Sequence, residues 1–130
     1  MSQCKVLVVD DERDFLESLV RRLQRRGLDA RGAASGMDAL KLVAEDPPEV
    51  VVLDVKMPDM DGIATLKAIK DRDPKVEVIL LTGHASVGSG VEGVELGAFD
   101  YLIKPVKLDD LIERIRDARE RGQLMRRAFS

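Results

Sequence analysis

The segment Lys5–Glu12 reads KVLVVDDE, in which a run of mostly β-branched apolar residues is followed at once by three acids. The apolar run, Lys5–Val9, predicts a strand that is buried on both faces of a sheet. Neighbouring carboxylates repel one another, so at the end of such a strand they require water or a cation to neutralise them. The segment therefore predicts a buried strand with a polar carboxyl end.

Strands and helices alternate along the rest of the chain. Apolar runs predict four more strands, at Leu28–Ala33, Val50–Leu53, Val76–Leu81 and Phe99–Ile103. Helical spacing predicts five helices. The first runs from Asp11 to Gly27, the fourth covers Ser86–Leu96, and the fifth runs from Leu108 to about Gly122. The second begins at a Ser35 cap, has Met37, Leu40 and Val43 on its apolar side and ends at Pro47-Pro48, and the third has Ile63, Leu66 and Ile69 and ends at Asp73-Pro74. This alternation predicts a single doubly wound α/β domain of flavodoxin-like type. We expect its five-stranded parallel sheet to have the common order 2-1-3-4-5, with helices on both faces.

Composition narrows the class of protein. The chain has 130 residues and a net charge of -3, and 45% of its residues are hydrophobic, as in a soluble globular domain. This charge gives no general attraction to nucleic acid or anionic membranes, so we expect neither as a direct partner. Its apolar runs are too short for a membrane span, and the N-terminus does not resemble a signal peptide. Cys4 is the only cysteine, so the chain has no internal disulfide, which suits the reducing cytoplasm. We expect Cys4 to be a small residue of the core.

Polar residues gather where the predicted strands end. Asp10 and Asp11 follow the first strand, Asp54 the third, Thr82 the fourth and Lys104 the fifth. The carboxyl ends of parallel strands share one edge of the sheet, where such folds bind ligands, and the first and third strands are neighbours in this order. Three converging carboxylates predict a site for a hard cation, and Mg²⁺ is the ion that we expect there.

Zinc is a poor alternative for this site. Cys4 lies at the opposite end of its strand, and His84 is the only histidine. Zinc sites are normally built from several such nitrogen and sulfur ligands.

A cation, a lysine and a hydroxyl around one carboxylate are suited to phosphoryl transfer. The metal and the Lys104 ammonium neutralise phosphoryl oxygens, and Thr82 adds a hydroxyl. Asp54 stands alone before a loop and is the expected acceptor, whereas Asp10 and Asp11 are better placed for the metal.

Four stretches of this sequence form a recognisable set. They read VLVVDDE, VVLDVKMPDMDG, LTGHAS and GAFDYLIKPV, and they occur in this order. The chain resembles the receiver domain of two-component response regulators from about Lys5 to Arg119. The second and fourth stretches look most like receivers of the nitrogen-regulatory subgroup, which usually precede an ATPase and a DNA-binding domain.

The resemblance implies a role for each residue of the site. Asp54 would accept a phosphoryl group from a phosphohistidine of a sensor histidine kinase. Asp11, Asp54 and the backbone carbonyl of Lys56 would bind Mg²⁺, with Asp10 acting through water. Lys104 would pair with the phosphoryl group, and its peptide bond to Pro105 would be cis. Thr82 and Tyr101 would form the switch.

The resemblance also implies how the signal leaves the domain. Output would pass through the face of the fourth helix, fifth strand and fifth helix to an effector protein or to a C-terminal output domain. The chain would catalyse only its own phosphorylation and slow dephosphorylation, and so would not be an enzyme in the usual sense. We expect a monomer or a phosphorylation-dependent dimer, with the receiver over residues 1–120 and a helical extension, tail or linker over residues 121–130.

Three other functions fit the residues less well. An Mg²⁺-dependent phosphatase with an aspartate nucleophile usually has a second acid two residues later, where this chain has Lys56. A flavin-binding module needs a glycine-, serine- or threonine-rich phosphate loop after the first strand, and Asp10-Asp11-Glu12 would repel that phosphate. A degenerate receiver that only docks would not need the complete site.

Two segments depart from a regular pattern. Gly88, Gly90 and Gly93 lie within the predicted fourth helix and predict either a labile helix or close packing that needs glycine. At the C-terminus, Leu108, Leu111, Ile115, Ala118, Gly122 and Met125 form a heptad-like seam. We expect the first half of that helix to pack on the sheet and Arg119–Arg127 to be a solvated tail, with dimerisation through the seam as the alternative.

Overall fold

The computed structural model of the chain describes residues 3–57 and 60–128. These residues form five strands and five α-helices: β1 (Lys5–Val9), α1 (Arg13–Arg25), β2 (Asp29–Ala33), α2 (Gly36–Glu45), β3 (Val50–Asp54), α3 (Gly62–Arg72), β4 (Glu77–Thr82), α4 (Val87–Glu95), β5 (Asp100–Ile103) and α5 (Leu108–Ala128). A 3₁₀ turn, His84–Ser86, precedes α4. Apart from the end of α5, these bounds agree with the predicted ones to within two residues.

The sheet has the predicted topology. Its strands are hydrogen-bonded in the order β2-β1-β3-β4-β5, and every neighbouring pair is parallel. Val9 lies opposite Leu53 in the pairing of β1 with β3. The next residue of each strand, Asp10 and Asp54, therefore lies at the same edge of the sheet.

Both faces of the sheet are covered by helices, because side chains alternate between the faces along each strand. Val6 and Val8 belong to a core cluster with α1 and α5, whereas Leu7 and Val9 belong to a second cluster with α2 and α3. The central strands are buried throughout and consequently read as continuous apolar runs. Cys4 is part of the first cluster, as predicted, and burial raises the pKa of its thiol to about 11.

Helix ends follow local signals in the sequence. The Ser35 hydroxyl accepts a hydrogen bond from the Asp38 N–H, and this confirms the predicted cap of α2. Gly27 has a φ of 88°, a left-handed conformation that suits glycine at the end of α1.

The prediction that Met37 lies on the apolar stripe of α2 is wrong, because its side chain is 63% exposed. Ala39 and Val43 define the buried face instead. Two residues correspond to a rotation of about 200° around a helix, so Met37 lies on the side opposite Ala39.

Helix α4 forms despite its three glycines, and close packing accounts for two of them. A β-carbon on Gly90 would lie 2.9 Å from Cγ of Tyr101, and one on Gly93 would overlap Cδ1 of Leu80. The surroundings of Gly88 are open. The labile helix remains a prediction, although Gly90 and Gly93 have a packing reason that is independent of it.

Helix α5 continues to Ala128, so Arg119–Arg127 is helical. The expectation of a solvated tail is wrong for Arg119 and Gly122, which contact the domain, although Arg121, Leu124 and Arg127 are exposed. Gly122 is buried, and a β-carbon there would lie 3.3 Å from the carbonyl oxygen of Lys75. Leu111, Ile115 and Ala118 of the heptad-like seam are also buried in the domain's own core. The domain boundary at residue 120 remains a prediction, and α5 passes through it without a break.

The last two residues of the predicted extension, Phe129 and Ser130, lie outside the described residues. None of the helices in the described part of the chain is both long enough and apolar enough to cross a membrane.

Candidate functional site

The predicted convergence of three carboxylates is present at the carboxyl edge of the sheet. Asp10 and Asp11 follow β1, and Asp54 ends the neighbouring β3. One oxygen from each carboxylate lies within 4.8 Å of the other two. Asp10 and Asp54 are buried, whereas Asp11 is exposed. The cluster is therefore open to solvent on the side of Asp11.

Asp54 is held in a setting that favours its protonated form. Its Oδ1 accepts a hydrogen bond of 3.3 Å from the backbone N–H of Lys56, and this contact opposes protonation because it stabilises the ionised carboxylate. Burial, followed by the negative charge of Asp10, raises the pKa of Asp54 to about 6, against the opposing effect of Lys104. The carboxyl thus titrates just below neutral pH, which is unusual for an aspartate.

Lys104 follows β5, an edge strand that β4 separates from β3, and its side chain extends to this cluster. Its Nζ lies 3.0 Å from Oδ2 of Asp10 and 3.7 Å from Oδ1 of Asp54. Burial alone lowers the pKa of Lys104, but its hydrogen bond to Asp10 and the nearby negative charges raise it overall. The predicted cis peptide bond between Lys104 and Pro105 is confirmed.

Asp10 has a partner on each of its carboxylate oxygens. Oδ1 accepts a hydrogen bond of 2.9 Å from the backbone N–H of Glu12, and Oδ2 accepts one from Lys104. Sequence reasoning assigned Asp10 to the metal alone and missed this ion pair. No local pattern indicates it, because Asp10 and Lys104 are 94 positions apart.

The donor set fits Mg²⁺ by its chemistry. Every side-chain donor in the cluster is a carboxylate oxygen, the ligand type that hard cations prefer. The predicted contribution of the Lys56 carbonyl remains a prediction. In this structure the backbone N–H of Lys56 contacts Asp54, and the side chain of Lys56 is exposed.

Thr82 and Tyr101, the predicted switch pair, lie on β4 and β5, the two strands that follow β3 across the sheet. Thr82 is buried at the end of β4, and its hydroxyl donates a hydrogen bond of 3.0 Å to the carbonyl of Gly83. Tyr101 is half-buried on β5, opposite Leu80, and its ring lies against Gly90 of α4. Their roles as a switch remain predictions.

Two further features were missed from the sequence. The Lys104 ammonium lies over the ring of Phe15 in α1, 4.5 Å from the ring centroid. At the opposite edge of the sheet, Glu49 pairs with Arg119 at 2.9 Å, and the buried Glu77 lies 3.5 Å from Lys70. Charged residues at the start of a strand give little sign of such burial.

The sequence and the fold both match known proteins of one family. The sequence pattern of the response regulator receiver domain matches residues 6–116. The chain is 41% identical over 112 residues to the transcriptional regulatory protein PrrA of Mycobacterium tuberculosis, covering 86% of this chain and 48% of PrrA. It is 39% identical over 117 residues to the DNA-binding transcriptional regulator NtrC of Proteus hauseri, covering 88% of this chain and 25% of NtrC.

A solved structure gives the same result. The receiver domain of a response regulator from Clostridium thermocellum superposes with a TM-score of 0.90 at 35% identity, covering 94% of this chain and 98% of that one. The match to NtrC agrees with the predicted nitrogen-regulatory subgroup. The aligned segment spans about half the length of PrrA and a quarter of NtrC, so both relatives are longer than the matched region. The chain belongs to the response regulator receiver domain family, whose general function is phosphorylation-dependent signalling.

Proposed function

We propose that the chain is a signalling switch that is activated when Asp54 accepts a phosphoryl group from a phosphohistidine of a sensor histidine kinase. The observation that carries this proposal is the setting of Asp54. Its carboxylate lies 3.7 Å from the Lys104 ammonium and within 4.8 Å of two further carboxylates. A nucleophilic carboxylate next to a fixed cation and a set of metal ligands is suited to in-line phosphoryl transfer.

The transfer step begins with attack by an ionised oxygen of Asp54 on the phosphorus atom. An O–P bond forms as the N–P bond of the phosphohistidine breaks, and the leaving imidazole nitrogen takes the bonding electron pair. Lys104 stabilises negative charge on the phosphoryl oxygens. Burial, followed by the charge of Asp10, raises the pKa of Asp54 to about 6. This pKa is still below neutral pH, so most of the carboxyl is ionised there and can act as the nucleophile.

The reaction is proposed to depend on Mg²⁺. Asp11 and Asp54 would bind it together with the backbone carbonyl of Lys56, and Asp10 would act through water. When bound, the ion supplies positive charge for the phosphoryl oxygens. The exposure of Asp11 and the all-oxygen donor set support this assignment.

Phosphorylation is proposed to change the state of Thr82 and Tyr101. To reach a phosphoryl oxygen, the Thr82 hydroxyl has to leave the Gly83 carbonyl, and Tyr101 then turns inward. Signal leaves through the face of α4, β5 and α5. Val91 of α4 and Ile103 of β5 are exposed apolar side chains on these elements, which is consistent with contact to another protein surface.

The phosphorylated state is proposed to decay slowly by hydrolysis. Water attacks the phosphorus atom, the O–P bond to Asp54 breaks, and inorganic phosphate leaves. The chain therefore catalyses its own modification and its reversal and turns over no external metabolite.

The partners follow from the same proposal. The phosphoryl donor is a sensor histidine kinase in the cytoplasm, and the recipient of the signal is an effector protein or an attached output domain. The length of PrrA and NtrC beyond the matched region supports the second option. The state in solution is a monomer or a dimer that forms on phosphorylation.

Intact-mass measurement after treatment with a small phosphoryl donor tests the proposed function. Wild-type protein should gain one phosphoryl group with Mg²⁺ and none without it, and Asp54→Asn should gain none. Asp61→Asn is a matched control. Asp61 lies in the loop after the same strand, and asparagine also caps α3 well. Equal labelling of Asp54→Asn and the wild type would remove Asp54 from its role.

A further inference from the structure

Among the aromatic side chains in the described part of the chain, only that of Phe15 has the Lys104 ammonium over its ring. Phe15 is the third residue of α1, and the Lys104 ammonium lies over its ring, 4.5 Å from the centroid. The ring is half-buried against the core cluster that joins α1 to α5. It also lines a cavity of about 40 Å³ together with Val106 and Leu108, which follow Lys104 along the chain. The ring therefore has packing contacts that do not involve the lysine.

We propose that Phe15 is a positioning residue that keeps the Lys104 ammonium at the site for phosphoryl transfer. This inference rests on the proposed phosphorylation of Asp54. Phe15 lies outside the carboxylate cluster. In the proposed reaction it contacts neither the phosphoryl group nor the oxygen atoms that would bind the metal, so its proposed role is to act through Lys104.

The ring differs from the other two partners of Lys104 in its charge. Asp10 and Asp54 attract the ammonium through full negative charges, at 3.0 and 3.7 Å. An incoming phosphoryl group competes with these carboxylates for the same lysine, and Asp54 loses its negative charge to the new bond. The ring attracts the ammonium through its quadrupole and leaves the positive charge available to the phosphoryl oxygens.

This contact limits the conformational freedom of a long side chain. A lysine side chain loses considerable rotamer entropy when it is held in one place, so a partner that restrains it beforehand lowers the cost of reaching the transition state. A cation–π contact is weak enough to let the ammonium move toward the phosphoryl group.

Phe99 provides a matched control within the same core cluster. It too is a half-buried phenylalanine with a cation over its ring, since the Arg121 guanidinium lies 5.7 Å from its centroid. Phe99 precedes β5, whereas Lys104 follows that strand, so Phe99 lies at the other edge of the sheet. Truncation of Phe99 therefore tests core packing without acting on the site lysine.

The first experiment measures the rate at which a small phosphoryl donor labels Asp54 in the presence of Mg²⁺. Phe15→Leu should slow labelling about fivefold, Phe15→Tyr should stay within about twofold of the wild type, and Phe99→Leu should leave the rate unchanged. Labelling of the wild type with no slowing in Phe15→Leu overturns the role of Phe15 and leaves the proposed function intact. Absence of labelling in the wild type overturns both.

A second experiment separates positioning from packing. In the Lys104→Met background, the further change Phe15→Leu should have no effect on the residual rate, because the cation has already been removed. Phenylalanine analogues with increasing ring fluorination at position 15 keep the volume nearly constant while weakening the quadrupole, and labelling should slow progressively along the series. Equal slowing by Phe15→Leu in both backgrounds, or a rate that does not respond to fluorination, overturns the proposal.

Discussion

The ammonium group of Lys104 lies 3.0 Å from a carboxylate oxygen of Asp10, across 94 positions of sequence. The side chain of Asp10 is 1% exposed and that of Lys104 is 23% exposed, so water screens this pair only weakly. In such surroundings a charge acts strongly on its neighbours. Asp10 thus fixes the lysine at the edge of the sheet and also affects the ionisation of Asp54.

Replacing Asp10 by asparagine should lower the pKa of Asp54. Burial is the largest cause that raises this pKa to about 6, and the charge of Asp10 is the next. Removing that charge favours the ionised form of Asp54, as does a Lys104 that has lost its closer carboxylate partner. NMR of the Asp54 carboxyl carbon in metal-free protein measures the titration, whose midpoint should move to lower pH.

Asp14→Asn is the control for this titration. Asp14 is an exposed acid in the first turn of α1, so its removal changes the net charge by the same amount. The Asp54 midpoint should be the same in this variant as in the wild type. A midpoint that also stays unchanged in Asp10→Asn would contradict the attribution to Asp10.

Replacing Asp54 by asparagine should stabilise the metal-free protein at neutral pH. Burial and the charge of Asp10 raise the pKa of Asp54 to about 6 in the folded protein, above the ordinary carboxyl value that applies in the unfolded chain. The folded state therefore binds the proton more tightly, and the stability that this supplies is lost as pH rises through about 6. Relative to the wild type, the variant should gain about 2–3 kcal/mol in free energy of unfolding near pH 7.

Urea unfolding at two pH values measures this effect. The gain should be largest near pH 7 and should shrink toward about pH 4, where Asp54 is protonated in the folded wild type. A gain of equal size at both pH values would show that the substitution acts through packing or hydrogen bonding instead of charge.

The sequence predicted the features that depend on local patterns. Apolar runs and helical spacing gave the order of strands and helices, and acids at strand ends gave the convergence of Asp10, Asp11 and Asp54. The choice of Asp10 as the nearest partner of Lys104 was not predictable, because it depends on distances set by the packing of remote strands. The exposure of Met37 was within reach, since its angular position relative to Ala39 follows from helix geometry.

The extent of α5 was missed for a different reason. Its second half has few apolar residues, and Gly122 suggested an end to the helix. The structure instead uses the small size of Gly122 for a close approach to the Lys75 carbonyl, and Arg119 pairs with Glu49. Neither contact has a local sequence signal, because both depend on residues brought from the segments just before β3 and β4.

Alanine substitutions in α4 should have opposite effects at two of its glycines. Gly88→Ala should stabilise the protein by about 0.5–1 kcal/mol, because the space around Gly88 is open and alanine favours the helix. Gly93→Ala should destabilise it by about 1–3 kcal/mol, because the new methyl group overlaps Leu80. Urea unfolding of both variants measures the difference, and stabilisation by Gly93→Ala would contradict the close packing.

Replacing Glu49 by glutamine should loosen the second half of α5. The Arg119 Nε donates a hydrogen bond of 2.9 Å to Glu49, and both side chains are mostly shielded from water, so the lost charge pair should cost about 1–2 kcal/mol. Hydrogen exchange should become faster from Arg119 to Ala128 and stay unchanged around Leu111 and Ile115. Glu113→Gln, at an exposed position of the same helix, is the control. Uniform acceleration along all of α5 would mean that the pair acts on the whole helix.

Mg²⁺ should stabilise the wild-type protein against unfolding, and Asp11→Asn should largely abolish this effect. Asp11 is the exposed member of the carboxylate cluster, so its replacement by asparagine removes one negatively charged oxygen ligand with little cost to the core. A ligand that binds only the folded state adds about 2.7 kcal/mol when its concentration is about 100 times Kd. Thermal unfolding with increasing Mg²⁺ measures the gain, and matched additions of NaCl correct for ionic strength.

The control is Asp38→Asn, which replaces an exposed acid in the first turn of α2 and should respond to Mg²⁺ as the wild type does. Since both variants lose the same charge, an equal response in Asp11→Asn and Asp38→Asn would mean that Mg²⁺ acts through general screening rather than through a site at this edge of the sheet.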